Sequence, residues 1–350
     1  MTEIKLIDSM ATIQSKLNKG GEIVFQQGTY KITKQLILKA GSTIRLNGST
    51  LRRNANIQSI FLNSVSSSTK KYKGAGNISI IGGTLEGMGA YSADNLLTFF
   101  HGHDILVQGV RFLDTRCHAI EINSCKYVTV VDCKFCGSNV EKSYQEMIQI
   151  DTAYAMGFFL SGSTKKSACY DGTVCEHITI ENCTFDKSQY RKRPTACIGT
   201  HTQIKDGARH KDIKILHNTF NCDGTGNCLS LIGMEDVQVY SNYFYGCGRV
   251  ARVYSKDESY NLQGDKVIPG KMDGVCMDIY FKDNVEGEAS GEYKCSGIYA
   301  KAVNMPHNNI VVSSNTFEKF NDNEKYYLVA ENCVNVTAEK NRTKLKKKIS

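Results

Sequence analysis

A short unit recurs along this chain: an aliphatic residue, any residue, a second aliphatic, then small or polar residues, then an aromatic or leucine. It reads IRLNGSTL (44–51), ISIIGGTL (78–85), ILVQGVRF (105–112), VTVVDCKF (128–135), ITIENCTF (178–185), IKILHNTF (213–220), VQVYSNYF (237–244), IYFKDNVE (279–286), IVVSSNTF (310–317) and VTAEKNRT (336–343). Five residues after the first aliphatic, one column runs Ser49, Gly83, Val110, Cys133, Cys183, Asn218, Asn242, Asn284, Asn315 and Asn341. Period-two alternation makes each copy a strand, and a repeating turn residue stacks the copies. Stacked asparagines reach one another across a strand spacing of about 4.8 Å. Cys133 and Cys183 stand in that column as small buried residues rather than ligands.

Intervals of 23 to 50 residues between copies leave room for further short strands. One set follows closely: AIEINSC (119–125), MIQIDTA (147–153), ACIGTHT (196–202), CLSLIGM (228–234), VARVYSK (250–256), GIYAKAV (297–303) and YLVAENC (327–333). Helical periodicity is confined to MATIQSKLNKGG (10–21), which predicts a capping helix ahead of EIVFQQGTYKIT (22–33). An open end of such a stack exposes unpaired backbone, so a cap is expected there. The pattern predicts an all-β fold: a single-stranded parallel β-helix of about ten coils, one domain over 1–350. Within it, 1–21 is the cap region, 152–176 a long inserted loop, and 344–350 a basic tail expected to be a solvated end.

The chain is 41% apolar and 22% charged, with no apolar run long enough to span a membrane, so no membrane partner is expected. The net charge of +8 owes part of its excess to KLKKKIS at the end. No basic helix or nucleic-acid motif accompanies it, which leaves an anionic partner of another kind. MTEIKLIDSM lacks the layout of a secretory signal, which predicts either another route or a leader removed beforehand. Extracellular or phage-particle placement is the expectation, with the cytoplasm as the alternative. Fourteen cysteines in a chain of this size do not read as a disulfide framework. The CxxC of Cys133 and Cys136 has no second CxxC to complete a four-thiolate site, so no metal is expected.

The stretch EMIQIDTAY (146–154) alternates Ile148 and Ile150 with Gln149 and Asp151. Aligned by the aliphatics, Glu121 stacks on Gln149 and Asn123 on Asp151. Glu121 and Asp151 are then diagonal neighbours, with Cα atoms about 8 Å apart. Inverting glycosidases hold an acid and a base roughly 6.5–9.5 Å apart. The next coil turns His201 outward beside Asp151, and later coils add Arg252, Tyr254, Tyr299 and Lys301. Glu121, Asp151 and His201 are the candidate catalytic residues. Gln149, Asn123, Arg252, Tyr254, Tyr299 and Lys301 are candidate substrate contacts, joined by Tyr154 and Asp171 from the inserted loop. His118 and Glu146, aligned ahead of their strands, read as an exposed ion pair, with a pair supporting the site as the alternative.

The cap, the FQQGTYKIT signature and the coils together resemble the pectate-lyase-like superfamily of right-handed β-helices. The order Glu121, Asp151, His201, Arg252 is most similar to the polygalacturonase branch, whose site runs carboxylate, carboxylate pair, histidine, arginine–lysine. The chain departs from it in reading EINS for a motif beginning NTD, in having Gln149 and Asp151 for an adjacent aspartate pair, and in GTHT for glycine–histidine–glycine. CLSLIGM is also an additional coil. The resemblance implies a glycoside hydrolase acting on a polysaccharide, an acidic one by expectation, without a cofactor. Two alternatives accompany it: a lyase, for which calcium is the usual helper, and a non-catalytic phage-tail or adhesin β-helix. The protein is expected to be a monomer or a homotrimer.

Overall fold

The computed structural model describes residues 1–87, 95–138, 146–161, 166–201, 203–256, 259–260, 264, 266–267, 275–289, 295–318 and 325–350. Three long parallel sheets carry the chain, with 12, 10 and 11 strands among the described residues. Successive turns of chain visit the first, second and third sheet in order, which makes a right-handed parallel β-helix. Side chains at every second position enter a continuous apolar core.

The repeat forms the first sheet and the corner after it. Ile78, Ile105, Val128, Ile178, Ile213, Val237, Ile279, Ile310 and Val336 lie in one register row. The first copy slips by two: Ile44 pairs with Ile80, although Thr50 pairs with Thr84 beyond the corner. Its turn therefore holds two more residues than the later ones.

Each corner needs one residue with left-handed backbone, and the small or polar position of the repeat supplies it. Asp132, Asn182, His217, Ser241, Asp283, Ser314 and Lys340 all sit at φ between 52° and 57°, with Gly48, Gly82 and Gly109 in the earlier coils. Glycine, asparagine and aspartate tolerate that region best. The next residue is the ladder column. Asn242 Oδ1 accepts from Asn218 N at 2.9 Å and from Asn218 Nδ2 at 3.0 Å, and the same pair of bonds repeats down to Asn341. Cys133 and Cys183 are buried and turn their sulfurs to backbone carbonyls, as small residues of the stack. Beyond the corner, Phe112, Phe135, Phe185, Phe220 and Phe244 stack face to face at 4.6–4.9 Å.

The two ends differ. Helix Met10–Leu17 buries Ile13 and Leu17 over the first coil, with Ser9 capping Thr12 N at 3.1 Å. The basic tail is not a loose solvated end. Lys346–Ile349 adds a parallel strand beside Tyr326–Glu331, because that strand's outer edge offers unpaired backbone. Its lysines are exposed, and charged residues on an edge discourage further pairing. No described helix is long and apolar enough to cross a membrane.

Candidate active site

The site lies on the outer face of the third sheet. Ile120 pairs with Ile148, Glu121 with Gln149, and Asn123 with Asp151. Ile148 then pairs with Ile198, and Gln149 with Gly199. That face is not solvated here: Glu121, Asn123, Glu146, Gln149 and Asp151 are each at most 4% exposed. Carboxylates are almost never so buried unless they are paired or have a function.

Glu121 accepts a short hydrogen bond from Asn95 Nδ2 and lies within reach of Asn123. Burial raises its pKa; His118, His201 and Asn123 oppose that rise and Asp151 reinforces it. The net rise favours a protonated carboxyl. Asp151 is held as an acceptor by three groups. Thr152 N donates to Oδ1 at 2.8 Å, Gln149 Nε2 donates to Oδ2 at 2.8 Å, and His201 Nδ1 lies 3.2 Å from Oδ2.

His201 stands where two partners compete. Its Nδ1 is 2.6 Å from Gln149 Nε2, a contact the neutral ring makes as an acceptor. Burial works against the charged ring, but the hydrogen bond and charge of Asp151, then Glu146, hold its pKa above the usual histidine range. Once charged, Nδ1 is a donor and its partner is Asp151. The ring's other nitrogen lies 3.7 Å from Glu146 Oε2.

Glu146 and His118 do not form an exposed ion pair. Both are buried, and His118 Nδ1 donates to the Glu146 backbone oxygen at 2.7 Å. The chain bends at the strand entrance, since adjacent Met147 and Ile148 both enter the core. The bend turns the Glu146 side chain over Gly199, where a Cβ would lie 2.7 Å from Glu146 Cγ. Glu146 Oε2 is buried without a hydrogen-bond partner. Burial disfavours a charged His118, but the Cys117 sulfur, then Glu121 and Glu146, lift its pKa to about 10. Sequence reasoning missed Asn95 and Gly199 as members of the site, and for Glu146 and His118 it favoured an exposed ion pair over a supporting place beside the site. The doublets Ala119–Ile120, Met147–Ile148 and Cys197–Ile198, where alternation fails, are the signal of that bend.

The other expected contacts are not gathered here. Arg252 lies three strands from Asp151, about 14 Å sideways, with its guanidinium 3.8 Å over the Tyr254 ring. Tyr299 and Lys301 are one strand further, about 19 Å away, and both reach Glu331, at 3.3 and 3.4 Å. Asp171 does not face the carboxylates. Burial raises its pKa, but bonds from Lys71 N and from Thr173 hold it below the usual value and use its oxygens to fasten the loop. The described part of the inserted loop forms short helical turns and a small second core: Met156 and Cys169 pack with Leu62 and Phe100 of the sheet face. Tyr154 stands in that wall, edge-on to Tyr170 and Tyr260. A shallow depression on the first sheet, lined by Tyr127, His177, Asp212 and Lys214, is remote from these groups. Its charges pair internally, His177 with Asp212 at 2.6 Å and Lys214 with Asp212 at 3.0 Å.

No family model matches the chain. A curated relative, plasmin and fibronectin-binding protein A of Streptococcus pneumoniae, is 28% identical over 255 residues, which is 64% of this chain. The chain spans about a third of that relative's length (34%). The crystal structure of PfbA, a surface adhesin of Streptococcus pneumoniae, superimposes with a TM-score of 0.75 at 22% identity, over 95% of this chain and 80% of that one. A hyperthermoactive exopolygalacturonase from Thermotoga maritima superimposes at 0.62 and 12% identity, over 97% and 85%. The chain therefore has the right-handed parallel β-helix fold shared by that adhesin and by polygalacturonases.

Proposed function

We propose that this protein is a carbohydrate-active enzyme that hydrolyses glycosidic bonds in a polysaccharide, an acidic one by preference. The observation that carries the reading is the convergence of three carboxylates and two imidazoles in one buried cluster, with Glu146 Oε2 left without a hydrogen bond. A cluster of like charges costs stability, and such a cost is retained where chemistry needs it.

Glu121, whose burial raises its pKa, is the general acid that gives its proton to the leaving oxygen. Asp151, oriented by Thr152 N and Gln149, is the base that takes a proton from water. The diagonal register places their Cα atoms about 8 Å apart, which leaves room for that water. His201 holds Asp151 and Glu146 in place and offsets their charge. Arg252, Tyr254, Tyr299 and Lys301 would grip acidic sugars further along the same face, with Lys301 exchanging its pairing to Glu331 for a sugar carboxylate.

A glycan-binding adhesin without catalysis is the second reading, favoured by the likeness to PfbA, and either reading suits an extracellular site of action. A lyase, which takes a sugar proton with a basic side chain, fits less well, because the basic residues of this face, Arg252 and Lys301, stand three and four strands from Asp151. The test is wild type and Asp151→Asn on a panel of acidic and neutral polysaccharides, following reducing ends and the ultraviolet absorbance of unsaturated products, with and without chelator. Reducing ends alone, lost in Asp151→Asn, support hydrolysis. Absorbance lost in chelator supports a lyase, and binding without cleavage supports the adhesin.

A further inference from the structure

Four cysteines from two successive coils come together at one corner of the core. Cys197 opens the strand Ala196–Gly199, and Cys222 follows the strand Thr219–Asn221 in the same coil. Cys228, in the strand Asn227–Ile232, holds the place of Cys197 one coil on, and Cys247, at the end of the strand Tyr243–Cys247, lies one residue past the position opposite Cys222. All four are buried, and each is a free thiol. The sulfurs of Cys197, Cys222 and Cys228 lie within 4.8 Å of one another, and Cys197 and Cys222 are 3.7 Å apart. Cys247 stands next to Cys222 and Cys228, its sulfur beyond 4.8 Å of at least one of the three, so it is the ligand that must draw in to close the tetrahedron. The columns on either side hold ordinary apolar residues, Met147 before Cys197 and Val250 after Cys228, so burial alone does not require sulfur here.

A zinc–thiolate bond of about 2.3 Å makes the edge of a tetrahedral four-sulfur site about 3.8 Å. The observed 3.7 Å matches that edge. An iron–sulfur cluster, with several irons between its ligands, would spread the sulfurs further. We propose that Cys197, Cys222, Cys228 and Cys247 bind a single tetrahedral thiophilic divalent ion, zinc by class, that fastens two coils directly behind the candidate active site. On binding, each thiol releases its proton to solvent and each sulfur gives a lone pair to the metal, leaving a dianionic centre. Because the site is closed, the ion enters as the chain folds.

The experiment uses the full chain expressed in zinc-supplemented medium, and a second sample refolded under reducing conditions with cobalt. The expected result is one zinc per chain, retained by the native protein in chelator and released on unfolding. Cobalt should give the visible bands of a tetrahedral thiolate site. Cys222→Ala should lose the metal, whereas Cys183→Ala, buried elsewhere in the stack, should keep it. Should Cys222→Ala fail to fold, the cobalt spectrum of the wild type decides. Absence of metal and of cobalt bands in the reduced, folded protein overturns the proposal, as does a native Cys197–Cys222 disulfide found by peptide mapping.

Discussion

Replacing Asn242 by alanine removes the second rung of the asparagine ladder. Its Oδ1 accepts from Asn218 N at 2.9 Å and Asn218 Nδ2 at 3.0 Å. Its Nδ2 donates to the oxygens of Ile215 at 2.8 Å, Tyr240 at 3.1 Å and Asn284 at 3.0 Å. The residue is 2% exposed, so water cannot replace these bonds without opening the corner. The substitution strands the Asn218 N–H and leaves several carbonyls one partner short. At roughly 1–3 kcal/mol per buried group left unsatisfied, the loss comes to roughly 3–5 kcal/mol. Asn341 is the internal control, since it ends the ladder and is partly exposed. Asn341→Ala should cost only about 1 kcal/mol, because water reaches the groups it frees. Urea titrations followed by far-ultraviolet circular dichroism measure both. Equal losses in the two variants, or a loss below about 1 kcal/mol for Asn242→Ala, would refute the ladder as a cooperative element.

Gly199→Ala should push the Glu146 side chain off its seat, because the new Cβ meets Cγ at 2.7 Å. Cleavage should fall by at least tenfold while unfolding shifts by only about 1–3 kcal/mol, as measured by reducing-end assay and thermal melt. Acid stability is set in part by His210 and His307. Each buries its ring and accepts a backbone N–H at Nδ1, from Cys175 at 2.9 Å and Cys276 at 3.0 Å, and burial lowers each pKa to about 4. The unfolded chain binds those protons first, so this stability is intact above pH 6.5 and drains as pH falls towards 4. The loss is about 3 kcal/mol for each histidine, and His210→Gln should flatten the pH dependence of unfolding in that window. His118 acts in the opposite sense: its contribution is full below the unfolded pKa and fades as pH rises towards 10. Replacing Lys346, Lys347 and Lys348 by threonine should uncover the terminal edge, and light scattering should then show association that the wild type lacks.

Much of this architecture could be read before any coordinates, because a coil repeats its own instructions. The aliphatic pair, the left-handed corner residue and the asparagine column recur together, and the sheet register follows from them. The site was legible only where it obeyed that period. Glu121, Asn123, Gln149 and Asp151 hold ordinary alternating positions, and the register puts them together. Glu146 and His118 precede the alternating stretch, and a local bend brings them in. Their burial was invisible in the sequence because outward strand positions are normally wet. Here the inserted loop packs its own small core on the sheet face. The four-cysteine corner was hidden for a related reason: its members come from two coils with unequal spacing, so no short motif marks them.

The most direct test of the central claim is a paired measurement on Glu146→Gln, taking cleavage rate and unfolding free energy from the same preparation. A carboxylate kept for chemistry, buried with one oxygen unsatisfied beside two others, should prove costly to the fold. The account predicts that the variant is at least as stable as wild type and that its cleavage falls by about tenfold or more, because His201 loses the carboxylate that helps hold its ring beside Asp151. A variant that is destabilised and cleaves at the wild-type rate would show that the cluster holds the coil together and does no chemistry.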